Sequence, residues 1–129
     1  QGYDENLGGC DYGQPPSYFD PFQQPQAKHA MLRDGIPFLP GRTPGQFLTH
    51  READEAVRLI RQWKDAPFFL HLAHYAVHTP LQAKEELIEK YRRKAKGERH
   101  KHPVYAAMIE HLDHSFGRVL SKLSSSAFW

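Results

Sequence analysis

A lone cysteine, Cys10, is all the thiol chemistry in this 129-residue chain. It excludes an intrachain disulfide and any cysteine-built zinc site, and it gives no information on redox compartment. Asp11, Tyr12 and Gly13 follow it, none of them cationic, so it reads as an inert loop thiol. No apolar run approaches the roughly 20 residues of a membrane span, and no signal peptide is visible. Charge of one sign is also lacking: 17 Lys and Arg face 15 Asp and Glu, a formal net of +2. That balance argues against a dedicated nucleic-acid binder. Long helices are missing from residues 1–48, where Gly8-Gly9, Gly13, Pro15-Pro16, Pro21, Pro25, Pro37, Pro40 and Pro44 interrupt the chain.

What is present is an ordered chain. Apolar residues make up 40% of it, and 129 residues suffice for one domain with a core. Aromatics run through the turn-rich part at Tyr3, Tyr12, Tyr18, Phe19, Phe22, Phe38 and Phe47. A linker would lack these, so residues 1–48 read as a loop region that shapes a pocket. A short extended piece is expected near Ile36–Leu39.

Residues 49–129 read as helix, strand, helix, helix. Thr49-His50-Arg51-Glu52 has the capping-box pattern, with the Thr49 hydroxyl on the Glu52 N–H and the carboxylate reaching back. Ala53, Ala56, Val57, Ile60 and Trp63 then repeat at helical spacing to about Lys64. A second helix is expected over Ala83–Lys94, with Leu87, Ile88 and Tyr91 inward. Residues Arg92–His102 form a basic loop. Pro103 suits the first turn of a third helix, whose stripe is Val104, Met108, Leu112, Phe116, Val119, Leu120 and Leu123. Gly117 inside that helix costs about 1 kcal/mol, which implies a neighbour packed close against it.

The chain is organised around Pro67-Phe68-Phe69-Leu70-His71-Leu72, a nearly continuous apolar run. It has the pattern of a strand covered on both faces, as in a parallel sheet. Such a strand needs a neighbour on each edge, and no good candidates stand elsewhere in the chain. Polar and ring-bearing residues follow: His74, Tyr75, His78 and Thr79. Pro80, with no N–H, stops any ladder. Ligands in open α/β sheets sit beyond the carboxyl ends of strands, so the run reads as delivering His78 to a site. His74 reads either as a pocket residue or as a satisfied buried histidine. His71 and His74 point to opposite faces of a strand, which opposes a shared metal, and zinc wants three or four convergent ligands. His111 and His114 share a helix face and read as solvated or packing residues. Lys90, Arg92, Arg93, Lys94, Lys96, Arg99 and Lys101 read as a solvated run, or as a polyanion surface diluted by Glu85, Glu86 and Glu89.

Four stretches in this order resemble the sulfatases, the arylsulfatase-like hydrolases of the alkaline-phosphatase superfamily. Gly2-Tyr3-Asp4-Glu5-Asn6-Leu7-Gly8-Gly9 is similar to the segment after the family's Gly-Lys-Trp-His-Leu-Gly motif. Leu48-Thr49 through Glu55-Ala56 resembles its helix start. Pro67-Phe68-Phe69-Leu70 through Val77-His78-Thr79-Pro80-Leu81-Gln82 resembles its central strand and active-site loop. Pro103 through Glu110, with Asp113 and Gly117-Arg118-Val119-Leu120, resembles the helix before its next strand. Gly8–Phe19 is similar to a bacterial subset.

The resemblance implies an α/β fold, a parallel or mixed sheet flanked by helices, with residues 1–129 as an internal part of the catalytic domain. It implies hydrolysis of sulfate esters by a formylglycine nucleophile and a divalent cation, calcium being the expectation. Neither belongs to this chain. Cys10 is not in a Cys/Ser-x-Pro-x-Arg motif, and the family's metal-binding Asp residues and Asp-Asn-Gly motif are absent. The Lys and His of Gly-Lys-Trp-His-Leu-Gly would precede Gln1. One position carries over: His78 matches the family's sulfate-contacting His in the His-x-Pro loop. His74, Tyr75 and Thr79 are pocket candidates, and no metal ligand is assigned. Sulfate-ester cleavage builds negative charge on oxygen, and an imidazole can be cationic near neutral pH and donate to it. The implied partner is a sulfated small molecule or polysaccharide, with no nucleic acid and no membrane span. A periplasmic or secreted full-length protein is expected, with the isolated chain inactive. The rivals are a phosphonate or phosphate monoester hydrolase of the same superfamily, and a non-catalytic polyanion-binding module.

Overall fold

The helix that anchors the structure starts where the turn-rich region ends. In the computed structural model, which describes residues 2–41, 43–99 and 101–125, α1 spans Ala30–Asp34, α2 Leu48–Trp63, α3 Glu85–Arg93 and α4 Pro103–Ser125. Gln1, Arg42, His100 and the Ser126–Trp129 tail lie outside the described residues.

α2 buries Leu48, Ala53, Ala56, Leu59 and Ile60, as helical spacing requires. Its start differs from the capping-box expectation. Phe47 is the N-cap, and no side chain caps the helix. The Leu48 N–H instead donates to the Tyr18 carbonyl at 2.8 Å. A loop residue thus satisfies a first-turn donor that a side chain would otherwise take. The displaced Thr49 Oγ1 is buried without a partner. Phe19 and Phe47 form an isolated antiparallel bridge, reinforced by Asp20 N–H to Gln46 O at 2.9 Å.

α3 begins with Glu85 and Glu86 and ends with Lys90, Arg92 and Arg93. That order complements the helix dipole. Ile88 is its buried residue, with Leu87 and Tyr91 packed beside the core. α4 begins at Pro103 and packs against both α2 and α3. It does so through Ala107, Met108, His111 and Ser115. The expected stripe is therefore corrected: Phe116 and Leu120 are 54% and 56% exposed. Small and polar residues let α4 approach its neighbours closely, and that turns the second apolar face outward. Gly117 is corrected too, since a Cβ there would meet nothing within 4 Å.

The turn-rich region wraps this helical layer. Tyr18 and Phe47 are its deepest aromatics, with rings 5.7 Å apart. Ile36–Leu39 is a turn rather than an extended piece, with Phe38 at φ 58°. α1 buries no residue. The Gly35 that follows it requires glycine: at φ +83°, a Cβ would lie 3.1 Å from the Phe22 carbonyl oxygen.

The expected strand forms no ladder, and the parallel or mixed sheet is not formed among the described residues. Exposure still alternates residue by residue from Pro67 to His74, the period of an extended chain. Phe69 is 76% exposed. A strand is a pairing between segments, and no described segment forms a ladder with this one.

Candidate functional site

His74, Tyr75 and His78 line part of an open cleft of about 1430 Å³, while Thr79 stands outside that lining. The cleft lies between the N-terminal glycine-rich strip, α2 and residues 65–78. Its lining includes Tyr3, Leu59, Phe69 and His78.

The turn from His74 to Thr79 divides its side chains between inside and outside. His74 goes in: its Nδ1 is 2.6 Å from Glu52 Oε2, with side-chain exposures of 4% and 10%. The other carboxylate oxygen accepts the Tyr75 N–H at 3.4 Å. Burial raises the Glu52 pKa, while the His74 hydrogen bond and charge pull it down. His74 Nε2 is buried without a partner. His74 is thus both buried and in the cleft lining, with a partner on one ring nitrogen only. Tyr75 also turns inward and donates through its hydroxyl to the Gly8 carbonyl at 3.1 Å, with Cys10 Sγ 3.0 Å away. Burial first, and Cys10 second, push its pKa up.

His78 goes out and is exposed. Its Nδ1 lies 3.2 Å from the Thr79 carbonyl and 3.1 Å from Thr79 Oγ1. The Thr79 hydroxyl donates onward to Gln14 Oε1 at 3.0 Å, so it accepts from the ring. Facing two acceptors, Nδ1 is placed to donate, and Nε2 has no partner among the described residues.

Backbone contacts hold this turn to Tyr18. The Tyr18 hydroxyl donates to the Tyr75 carbonyl at 2.8 Å and accepts the His78 N–H at 3.1 Å. The Tyr18 N–H donates to Gln82 Oε1 at 2.7 Å. Burial drives the Tyr18 pKa up to about 12, against the lowering effect of the His78 N–H.

The other histidines are elsewhere. His71 faces outward beside Tyr3, away from His74. His114 is exposed, 3.7 Å from Glu110. His111 is buried, with its ring 4.4 Å from Phe47. Its Nε2 accepts the Lys84 N–H at 3.4 Å, so its Nδ1 donates to His50 Nε2 at 3.0 Å. Burial, then His50 and Lys84, lower its pKa to about 4. Among the described residues, no three His, Cys, Asp or Glu side chains converge to hold a metal ion. The residues present therefore do not fit the metal centre that the resemblance implies. No helix among them is long and apolar enough to cross a membrane.

The first half of the basic run is neutralised. Lys90 pairs with Glu110 at 2.6 Å, and Arg92 pairs with Glu85 at 2.6 Å and with Glu89. Lys94 lies over the Tyr91 ring at 4.8 Å. Those ion pairs weaken the field that a polyanion surface needs.

Tyr18 and Glu52 escaped sequence reasoning. Glu52 carried one signal: it stands three residues after Thr49 and four before Ala56, on the helix face that is buried. Tyr18 carried none beyond its place among loop aromatics.

The sulfatase family model matches residues 2–128. The chain belongs to the sulfatase family, whose members hydrolyse sulfate esters. A curated relative from Formosa agariphila, named Sulfatase, is 38% identical over 90 residues, covering 67% of this chain and 16% of its own length. Two solved structures also resemble it, Ps i-CgsB and the same protein in complex with k-i-k-neocarrahexaose. Each is 31% identical at a TM-score of 0.55, covering 66% of this chain and 19% of the solved one. The chain thus spans less than a fifth of each of these relatives.

Proposed function

We propose that this chain is part of a sulfatase catalytic domain of α/β architecture and that His78 contacts the sulfate group or the departing oxygen. In this reading residues 1–48 shape the pocket, and the extended run from Pro67 joins a sheet of the complete domain. The carrying observation is the exposed His78 ring in the cleft lining, its Nδ1 engaged by Thr79 and its Nε2 without a partner among the described residues. Protonated, that nitrogen donates a hydrogen bond to a sulfuryl oxygen as negative charge develops. Thr79 sets which ring nitrogen faces outward, while His74 and Tyr75 support the wall behind it.

Formylglycine and a divalent cation, calcium being the expectation, belong to the complete enzyme and not to these residues. The substrate class we favour is a sulfated saccharide, from a small ester to a polysaccharide. Its support is the neocarrahexaose held by one structural relative.

His78→Ala, made in the sulfatase that carries this sequence, should lower kcat/KM for an aryl sulfate by about 10²–10³, the effect of removing one oxyanion donor. Unchanged turnover would refute the role of His78. The isolated chain should show no aryl sulfate turnover with calcium present; turnover would refute its standing as a partial domain.

A further inference from the structure

We propose that Tyr18 and Glu52 are positioning residues that hold the His78 turn from both sides of Tyr75. The inference rests on the reading of His78 as the sulfate contact.

The geometry is that of a two-point clamp. The Tyr75 N–H is held by Glu52 Oε1, and its carbonyl by the Tyr18 hydroxyl. Both peptide planes flanking Tyr75 are therefore fixed. The same hydroxyl shares the His78 N–H with the Tyr75 carbonyl, each at 3.1 Å, so one oxygen meets two backbone positions of the turn. Tyr18 is itself immobile: it is fully buried, stacked on Phe47, and bound through its N–H to Gln82. Tyr75 and His78 bond its hydroxyl and Gln82 its backbone N–H. On the other side Glu52 projects from α2, with His74 holding its second oxygen. The high Tyr18 pKa keeps the hydroxyl protonated, and so a donor, throughout the working pH range of a hydrolase. A loop that presents an oxyanion donor needs such support, because a displacement near 1 Å can cost about 10²-fold in rate.

A double-mutant cycle on turnover tests this. Tyr18→Phe keeps the ring and removes the hydroxyl. It should lower kcat about tenfold and leave KM little changed, as expected when a donor acting in the transition state is displaced. Combined with His78→Ala it should add nothing. An equal loss in both backgrounds makes Tyr18 merely structural and overturns the clamp. No loss from His78→Ala alone overturns the sulfate contact, and this proposal with it. Glu52→Gln takes the same cycle where Tyr18→Phe does not fold, and the same two results decide it. In the full-length sulfatase that carries this sequence, amide exchange gives an independent readout. Tyr18→Phe should speed exchange at His78 by about 2- to 10-fold, the worth of one hydrogen bond, while Ala56 and Ile60 in α2 keep their rates. Unaltered exchange at His78 overturns the clamp whatever turnover shows.

Discussion

His74 Nδ1 and Glu52 Oε2 meet at 2.6 Å in a place nearly closed to water, and that contact ties the turn to α2 across 22 residues. A buried hydrogen bond of this kind adds little net stability, but removing one partner is costly, because the other stays behind unmet. His74→Ala should destabilise the chain by about 1–3 kcal/mol near neutral pH, the cost of leaving a buried acceptor unmet. The Glu52 carboxyl, already raised by burial, then loses the contact that held it down. A raised carboxyl favours the protonated folded state, so stability returns as pH falls. Urea unfolding near neutral and at mildly acid pH should give a smaller deficit in acid. Equal deficits would refute the buried-carboxylate account.

The burial of His111, with His50 beside it, makes the fold itself sensitive to acid. His111 drops from an ordinary 6.5 to about 4, so its stabilising contribution is complete above roughly pH 6.5. Between there and about 4 the unfolded chain takes up a proton that the folded chain refuses, and stability falls. His50 is lowered too, by burial and by Lys84 and Arg118, and adds to the slope in the same direction. The full displacement corresponds to about 3 kcal/mol. His111→Gln should flatten the dependence of the thermal midpoint over that window. A variant as acid-sensitive as the parent would contradict the assignment.

Gly117 offers a substitution in the opposite direction. It lies in the interior of α4, is exposed, and has open space where a side chain would stand. Gly117→Ala should stabilise by about 1 kcal/mol through helix propensity alone. A rise in the denaturation midpoint with an unchanged slope is the expected record. Destabilisation would mean that something covers this face of α4.

The long helices were legible from sequence because their signals are local. Spacing gave the face of α2, and Pro103 marked the first residue of α4. Five-residue α1 escaped because a helix with no buried residue leaves no periodicity to read. The capping box misled because the pattern sees only four residues, and here a carbonyl 30 positions upstream met the Leu48 donor. The apolar run from Pro67 shows itself by composition, yet a ladder depends on partners that composition does not supply. At the site, the sequence placed His78 just past the apolar run, and the residue is exposed there although the run forms no ladder among the described residues. The inward placement of His74 is not legible there, since the residue that decides it, Glu52, carries the charge usually found at the surface.

The bonds from Tyr18 to Tyr75, His78 and Gln82 join positions 57 to 64 residues apart. Helices need only close neighbours in the chain, whereas this junction requires a long loop to shut first, at an entropic charge that grows with its length. The rim of the cleft is therefore a late arrival during folding and an early casualty of mild denaturant. Partial loosening can blunt the chemistry while the helical content still looks intact.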